Sequence, residues 1–382
     1  MELVEVAEPV EGTTVAPRTD PARLPHLSRR SLLRAAGSSA LALGAGGLLS
    51  ACGGDSDAAS SSGSGGGKST TVKVALGWIK NVEFAGFWLA DQKGYYADEN
   101  LTVEFQAGGP NTPDPTQSVS AGSADLGVHA NMQTLLQAIP KGNDFSLLGA
   151  VFQTSPGGLL SLASDPVREP KDLLGAKVLG QQGTQPLIDA ILTGAGLKKS
   201  YDFTPVGYDV SPLVQKQGKA YTCFLTNQPI TLETKYGMKK GKDYEVVTYS
   251  DLGLPSYSSI VFCKRTMLTG KADVLERFMR ATIRGWQDNA KDPEQAAKLA
   301  VTKYGVDLGL ELKQQVRENE LQIPFTQSAL TKSKGLLRID ESLLGGDMYA
   351  GLKASGVKKL PDAAKIVDQS VLDAVFGKKA TV

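Results

Sequence analysis

Polar and aromatic side chains follow the predicted β-strands of this chain, and their types suit the binding of a flat, hydrogen-bonding molecule. Trp78 and Tyr208 offer aromatic faces for stacking, and Glu83 offers a carboxylate that accepts hydrogen bonds from ring N–H groups. A carboxylate beside the apolar run 84–88 needs either a partner or a ligand. The candidate ligand-binding residues are Trp78, Asn81, Glu83, Phe84, Asn111, His129, Asn131, Gln153, Gln182, Tyr208, Asp209, Asn227 and Gln228.

Catalytic and metal chemistry find little support in the sequence. The two histidines, His26 and His129, are far apart, and no spacing of Cys, His and Asp is typical of a zinc or calcium site. No G-x-S-x-G motif surrounds a serine, and the glycine pair at 108–109 is not followed by the Gly-Lys-Ser/Thr of a P-loop. We therefore predict no catalytic residue, no metal and no cofactor.

Two classes of ligand, a neutral aromatic molecule and an oxyanion, differ in the charge that the site must accept. A sulfonate or nitrate site requires Arg, Lys or several amides, because an anion must not be buried unpaired. No arginine falls at the end of a predicted strand, and the nearest cation, Lys80, can equally point to solvent. The pattern favours a neutral aromatic ligand and keeps an oxyanion as the alternative.

Alternating strands and helices position these residues. Residues 72–76 predict a buried strand, residues 84–91 a helix that Gly94 ends in a left-handed conformation, and residues 101–105 a second strand. This βαβ unit implies a parallel sheet, in which ligands bind at the carboxyl ends of the strands. Further strands are predicted at 124–130, 145–152, 176–179, 203–207, 219–225, 244–248 and 258–263. Further helices are predicted at 115–121, 132–139, 186–192, 273–289 and 363–376.

The first 52 residues have the features of an export signal. Arg29 and Arg30 form a twin-arginine pattern, and the apolar run at 35–49 is shorter than the roughly 20 residues of a membrane span. The residues LSAC at 49–52 are typical of a lipobox, so we expect Cys52 to carry a lipid. The alternative is a buried hydrophobic helix with an incidental cysteine. Residues 53–70 read as a flexible Gly/Ser tether.

Length and composition fit a globular protein of two lobes. The 382 residues exceed the size of about 250–300 at which a single core stops growing. The balance of 41 basic and 40 acidic residues argues against a nucleic-acid groove. The three cysteines do not make a disulfide scaffold, and we expect Cys223 and Cys263 to remain free thiols in different lobes.

The segment 74–105 resembles a known family. Its pattern GW.KN...AGFWLA..KGYY..E.L.VEF, together with GSADLGV at 122–128, is similar to substrate-binding proteins of ATP-driven importers. The most similar branch includes binders of thiamine-pyrimidine precursors, riboflavin, alkanesulfonates and nitrate, and the pyrimidine synthase of thiamine biosynthesis. The resemblance implies an α/β periplasmic-binding-protein fold of type II, with a ligand cleft between two lobes and two hinge crossings. We expect lobe one at 71–164 and 249–382 and lobe two at 165–248.

The resemblance also implies a function. We expect an exported lipoprotein on the outer face of the cell membrane that captures a small heterocycle, such as a thiamine pyrimidine precursor or a riboflavin-like compound. Its partners would be the permease and ATPase subunits of an importer, and we expect a monomer that binds no nucleic acid. The alternatives are an alkanesulfonate or nitrate binder and a pyrimidine synthase-like enzyme.

Two departures argue against the enzyme. In the synthase pattern N-x-N-H-x-G a histidine stands where this chain has Phe84, and the related synthase consumes its own histidine as a substrate. The loop at 223–226 also lacks the cysteine-rich stretch of the synthase. We therefore predict a binding protein and not an enzyme.

Overall fold

The computed structural model of this protein describes residues 69–109, 111–181 and 183–382, which fold around two five-stranded sheets. The predicted signal, Cys52 and most of the predicted tether lie outside the described residues, as does Gln182. The strands are β1 (Thr70–Leu76), β2 (Leu101–Gln106), β3 (Leu126–His129), β4 (Phe145–Phe152), β5 (Gly157–Leu162), β6 (Lys177–Gly180), β7 (Asp202–Pro205), β8 (Ala220–Phe224), β9 (Tyr244–Thr248) and β10 (Ser258–Lys264).

Helices cover both sheets. In the first half of the chain they are α1 (Ala85–Gln92), α2 (Tyr95–Asp98), α3 (Pro115–Ala121), α4 (Met132–Ala138), α5 (Gln185–Gly194), α6 (Ser211–Val214) and α7 (Gln228–Tyr236). In the second half they are α8 (Arg265–Gly270), α9 (Ala272–Lys291), α10 (Pro293–Leu299), α11 (Leu312–Gln322), α12 (Ala329–Lys334), α13 (Glu341–Leu343), α14 (Tyr349–Ala354), α15 (Ala363–Ile366) and α16 (Ser370–Phe376). Within the described residues, none of the helices is both long and apolar enough to cross a membrane.

The first sheet has the strand order β2-β1-β3-β10-β4. β1 is parallel to β2 and β3, as the βαβ pattern predicts, with Val74 opposite Phe105 and Leu76 opposite Val128. β10 is inserted antiparallel between β3 and β4, so the sheet is mixed. Gly94 ends its segment with φ of +76°, which confirms the predicted left-handed conformation, and Gly122 ends α3 with φ of +78°.

The second sheet has the order β7-β6-β8-β5-β9. β5 pairs antiparallel with β8 and β9, whereas residues 157–162 were predicted to belong to lobe one. The reason is that an apolar run fixes burial but not the sheet that it joins. Strand pairing therefore moves the first crossing to residues 153–156, and the second crossing comprises residues 249–257.

Each sheet is the centre of one lobe, and the structure has the two-lobe α/β fold with two crossings that the resemblance implies. In the first lobe, the amphipathic helix α9 packs on α1 at very short range. A Cβ atom on Gly285 would lie 1.9 Å from the carbonyl oxygen of Gly86. Trp286 is buried in this interface, which confirms it as a core residue.

The C-terminal segment differs from prediction. The single helix predicted at 363–376 is divided into α15 and α16. Val367 forms an isolated parallel bridge with Leu147 of β4, and the extended backbone required there interrupts the helix. An amphipathic pattern that continues across such a bridge does not reveal the break.

Candidate functional site

A cavity of about 260 Å³ lies between the lobes and is lined by both. The predicted ligand residues that line it are Trp78, Asn81, Glu83, His129, Asn131, Asn227 and Gln228. Those from the first lobe follow β1 and β3, and those from the second follow β8. The cavity therefore lies at the strand ends where α/β sheets bind ligands.

Glu83 is buried in the wall of this cavity. One of its carboxylate oxygens, Oε1, accepts a hydrogen bond of 2.7 Å from the hydroxyl of Ser259. Ser259 has φ of +49°, an uncommon conformation for a residue with a side chain, and this strained backbone is retained beside Glu83. Burial raises the pKa of Glu83 to about 7, against the opposing effect of the Ser259 hydrogen bond. The carboxyl group thus titrates near neutral pH, where a ligand's N–H group can favour its charged form.

Glu318 of α11 is a second buried carboxylate in the cavity wall. It is not one of the predicted ligand-binding residues. Its Oε1 accepts from Asn81 Nδ2 at 3.1 Å, and its Oε2 accepts from Asn227 Nδ2 at 2.7 Å and Gln315 Nε2 at 3.1 Å. Burial raises the pKa of Glu318 to about 8, and the charge of Glu83 acts in the same direction. Because Asn227 belongs to the second lobe, Glu318 joins the two lobes.

A polar stripe on α11 supports this wall. The buried polar residues of the stripe are Gln315, Glu318, Asn319 and Gln322. Val82 is held at both backbone ends, since its N–H donates to Gln315 Oε1 at 2.9 Å and its carbonyl accepts from Gln322 Nε2 at 2.7 Å. Their spacing of i, i+3, i+4 and i+7 places these four side chains on one face of the helix. The stripe fixes the segment that carries Glu83.

His129 and Asp114 form a hydrogen-bonded pair at another part of the cavity wall. His129 Nδ1 accepts from the backbone N–H of Asn131 at 2.9 Å, so the ring proton lies on Nε2 and is donated to Asp114 Oδ2 at 2.9 Å. Burial opposes ionisation of Asp114, but the hydrogen bonds from His129 and Thr116 hold its pKa at about 2. The two ring nitrogens of His129 are therefore committed to protein partners.

The two predicted stacking residues contact each other. The rings of Trp78 and Tyr208 meet edge to face, with centroids 4.4 Å apart and an interplanar angle of 70°. Trp78 lines the cavity, and Tyr208 of the second lobe packs against the Trp78 ring. The aromatic pair thus spans the cleft and leaves Trp78 as the ring that faces the cavity.

The amide residues of the predicted site are also engaged with the protein. Asn81 Oδ1 accepts from the backbone N–H of Glu83, and Asn131 Oδ1 accepts from that of Thr134. Gln228 Oε1 accepts from the backbone N–H of Phe224 at 2.8 Å. These side chains line the cavity, and their hydrogen bonds mainly shape its walls.

The other predicted residues lie away from the cavity lining. Phe84 is buried in the first lobe's core against Phe87 and Trp88, because the helix that follows Glu83 turns it inward. Gln153 is buried and donates to the carbonyls of Ala150 and Arg338, which makes it a structural residue. Asn111 is exposed, and Asp209 accepts from the backbone N–H of Ser211 near the surface. Gln182 lies outside the described residues.

The described cavity lining contains three acidic side chains. Glu83, Asp114 and Glu318 contribute carboxyl groups, and no lysine or arginine is among the described residues that line it. Lys80 lies outside that lining, and burial lowers the pKa of its amine. Such a cavity suits a ligand that donates hydrogen bonds or carries positive charge, since an anion would be buried beside carboxylates.

This chain matches one protein family model and is similar in sequence to several named proteins. A family model described as NMT1/THI5 like matches residues 81–296. A 4-amino-5-hydroxymethyl-2-methylpyrimidine phosphate synthase from Legionella pneumophila is 26% identical over 274 residues, which cover 70% of this chain and 82% of the relative. A formylaminopyrimidine-binding protein from Halalkalibacterium halodurans is 24% identical, with coverage of 66% and 76%. A riboflavin-binding protein from Chloroflexus aurantiacus is 23% identical, with coverage of 71% and 77%.

Solved structures share the fold. The periplasmic aliphatic sulphonate-binding protein of Escherichia coli superimposes with a TM-score of 0.58 at 16% identity, covering 79% of this chain and 99% of that protein. At this level of identity the match establishes the periplasmic-binding-protein fold and carries no information about the ligand.

Proposed function

The chain belongs to the NMT1/THI5-like family, and from this premise we propose that it is the solute-binding component of an importer that captures a small nitrogen heterocycle. The observation that carries the proposal is the acidic cavity between the lobes. Glu83 and Glu318 are buried there without a described lysine or arginine in the lining. A ring that bears N–H groups satisfies Glu83, whereas a sulfonate or nitrate would add negative charge to the same site.

The size of the cavity favours a single small ring. Its volume of about 260 Å³ is near the lower end of the roughly 300–1,000 Å³ of small-molecule pockets. A substituted pyrimidine fits this volume better than the fused rings and sugar-like chain of a flavin. Of the relatives, the formylaminopyrimidine-binding protein therefore offers the more suitable ligand class.

We propose binding without turnover. The position at which the synthase pattern has a histidine is Phe84, and that side chain is enclosed in the core. Cys223 lines the cavity, but burial raises the pKa of its thiol far above neutrality, so it is not a ready nucleophile. These features support a binding protein although one relative carries the name of a synthase.

The cellular setting follows from the N-terminal sequence and the shared fold. We propose export through the twin-arginine pattern, lipid attachment at Cys52 and a position on the outer face of the cell membrane. The permease and ATPase subunits of an importer would receive the ligand. Closure of the two lobes around that ligand is the hinge motion on which recognition by the permease depends.

The proposal is tested by calorimetry with formylaminopyrimidine, riboflavin and ethanesulfonate. We expect formylaminopyrimidine to bind best and Glu83→Gln to weaken it by about 1–3 kcal/mol, because a ring N–H loses its charged acceptor. The control is Glu104→Gln, since that carboxylate is exposed on β2, and it should bind like the original protein. Tighter ethanesulfonate binding by Glu83→Gln would instead establish an anion site.

A further inference from the structure

Most polar side chains in the cavity lining are already occupied by protein partners. The ring nitrogens of His129 are both used, the carboxylate of Glu318 accepts from three amides, and Asn227 donates to it. Gln181 in the same lining donates to the hydroxyl of Tyr221 and accepts from that of Thr222. Groups of this kind mainly shape the cavity. A ligand is recognised chiefly by polar atoms that still have free hydrogen-bonding capacity.

Gln133 is a buried exception. It lies on α4, lines the cavity and is 9% exposed. Its Oε1 has no hydrogen-bond partner among the described residues. A buried amide oxygen without a partner costs free energy, and water or a bound ligand can supply the missing hydrogen bond.

Tyr249 is a second polar group in the same lining. It follows β9 at the start of the second crossing, and its side chain is 7% exposed. Burial raises the pKa of its hydroxyl. The hydroxyl is therefore a neutral group that can both donate and accept.

Apolar side chains also belong to this lining. Met132, Leu187, Leu254 and Leu352 line the cavity and belong, with Tyr249, to a hydrophobic cluster distinct from that around Trp78. A charged group placed among them would be buried without a counterion. A neutral substituent with a donor and an acceptor matches both the amide and the hydroxyl.

We infer that Gln133 and Tyr249 form a second polar subsite, which selects ligands by a neutral hydrogen-bonding substituent on the heterocycle. The inference rests on the proposed function, because it assumes that the ring itself is held near Glu83 and Trp78. Glu83 then determines the ring class, and the Gln133–Tyr249 subsite determines which derivative of that ring is retained. The substituent is of the amide or alcohol class.

The test compares two probes by calorimetry. The first is formylaminopyrimidine, whose ring carries a formamide group, and the second is the analogue with a methyl group in its place. We expect Gln133→Met and Tyr249→Phe each to weaken the first probe about tenfold and to leave the second unchanged, because only the first can bond to the subsite. Gln137→Met, one turn further along α4 and outside the cavity lining, is the matched control and should bind both probes normally.

The outcomes distinguish the subsite from the proposed function. Equal losses for both probes, or no loss for either, would overturn the subsite while the heterocycle-binding function stands. If the unmutated protein binds neither probe, the proposed function is wrong and the subsite assignment falls with it. Thermal unfolding of each variant without ligand verifies that a lost affinity does not come from a lost fold.

Discussion

Glu83 and Glu318 are two buried carboxyl groups in one cavity wall, and each raises the cost of ionising the other. The donors around Glu318 are three amides, and the donor to Glu83 is a single hydroxyl. Glu83 therefore has the less satisfied carboxylate and is the better placed of the two to meet a ligand. Glu318 has more hydrogen-bond partners within the protein. One of them, Asn227, belongs to the second lobe, so Glu318 chiefly links the two lobes.

This pair makes the stability of the unliganded protein depend on pH. Burial raises the pKa of Glu83 to about 7 and that of Glu318 to about 8, from 4.5 in both cases. Between pH 4.5 and these raised pKa values, the folded state holds more protons than the unfolded state. The free energy of unfolding therefore falls as pH rises through this window. We expect a loss on the order of 5 kcal/mol between pH 5.5 and pH 8, of which Glu83 contributes roughly 2 kcal/mol.

Chemical denaturation at a series of pH values measures this dependence. Glu83→Gln removes one of the two titrating groups and should flatten the decline, whereas the exposed Glu104→Gln should leave its slope unchanged. A stability that rises over the same range would contradict the assignment. Asp114 and Asp288 have lowered pKa values, and their stabilising effect is lost only under more acidic conditions.

At the scale of elements, the contact between α1 and α9 depends on two glycines. A Cβ atom on Gly285 would be 1.9 Å from the carbonyl oxygen of Gly86, so Gly285→Ala must move one helix away from the other. We expect a loss of about 1–3 kcal/mol in the free energy of unfolding, measured in urea. At Gly194, near the end of α5, a Cβ meets only the Ala354 Cβ at 3.9 Å. Gly194→Ala should therefore be neutral or slightly stabilising, and equal losses in both variants would refute this account.

The sequence predicts most strands and helices because their buried faces are apolar and glycines mark their ends. Gly94, Gly122 and the buried Trp286 are examples, and the strand at 145–152 is observed at those bounds. Residues 157–162, within the predicted range of lobe one, pair with strands of the second sheet, since local hydrophobicity does not encode the partner of a strand. Partners depend on residues far away in the chain.

The sequence points to Glu83 as a candidate site residue but not to Glu318, for related reasons. Glu83 is evident because it is a charge beside an apolar segment. Glu318 belongs to LKQQVRENELQ, a segment that is polar on every side, and such a helix does not disclose which face is buried. The predicted amides at Asn81 and Asn227 do reach the cavity, but the pattern cannot show that their donors are taken by Glu318.

At the scale of the molecule, side-chain hydrogen bonds link the two lobes of the described structure. Asn227 Nδ2 donates to Glu318 at 2.7 Å, and Gln314 Nε2 donates to Thr231 at 3.3 Å. We expect Asn227→Ala to shift the unliganded protein towards an open arrangement, because Glu318 then has no donor from Asn227 in the second lobe. Small-angle scattering should show a larger radius of gyration, which added ligand reverses.

The matched control for this change is Gln228→Ala, since Gln228 bonds within its own lobe to the backbone of Phe224. It should leave the radius of gyration as it is. Trp78 gives a second readout, because its ring contacts Tyr208 across the cleft while Trp88 and Trp286 are in the core. Identical scattering and fluorescence for both variants would show that the Asn227–Glu318 bond does not control closure.

The anchoring of the whole protein is predicted to depend on Cys52. Mass spectrometry of protein from membranes should find an N-terminus at Cys52 with attached lipid, and Cys52→Ser should be released or remain unprocessed. The free thiols Cys223 and Cys263 serve as the comparison, because their substitution to Ser leaves the lipobox intact. An unlipidated N-terminus upstream of Cys52 in the unmutated protein would contradict the prediction.

The insertion of β10 between β3 and β4 has a consequence for biosynthesis. A growing chain that has reached residue 256 contains all strands of the second sheet, yet the first sheet still lacks its β10 strand. Until that strand arrives, β3 and β4 expose the edges that it will cover, and such edges invite pairing with other chains. All strands of the second sheet are thus synthesised before the last strand of the first sheet, although synthesis of the first sheet begins earlier. The second lobe can therefore fold first. The interval between the two is when a nascent chain most needs protection from aggregation.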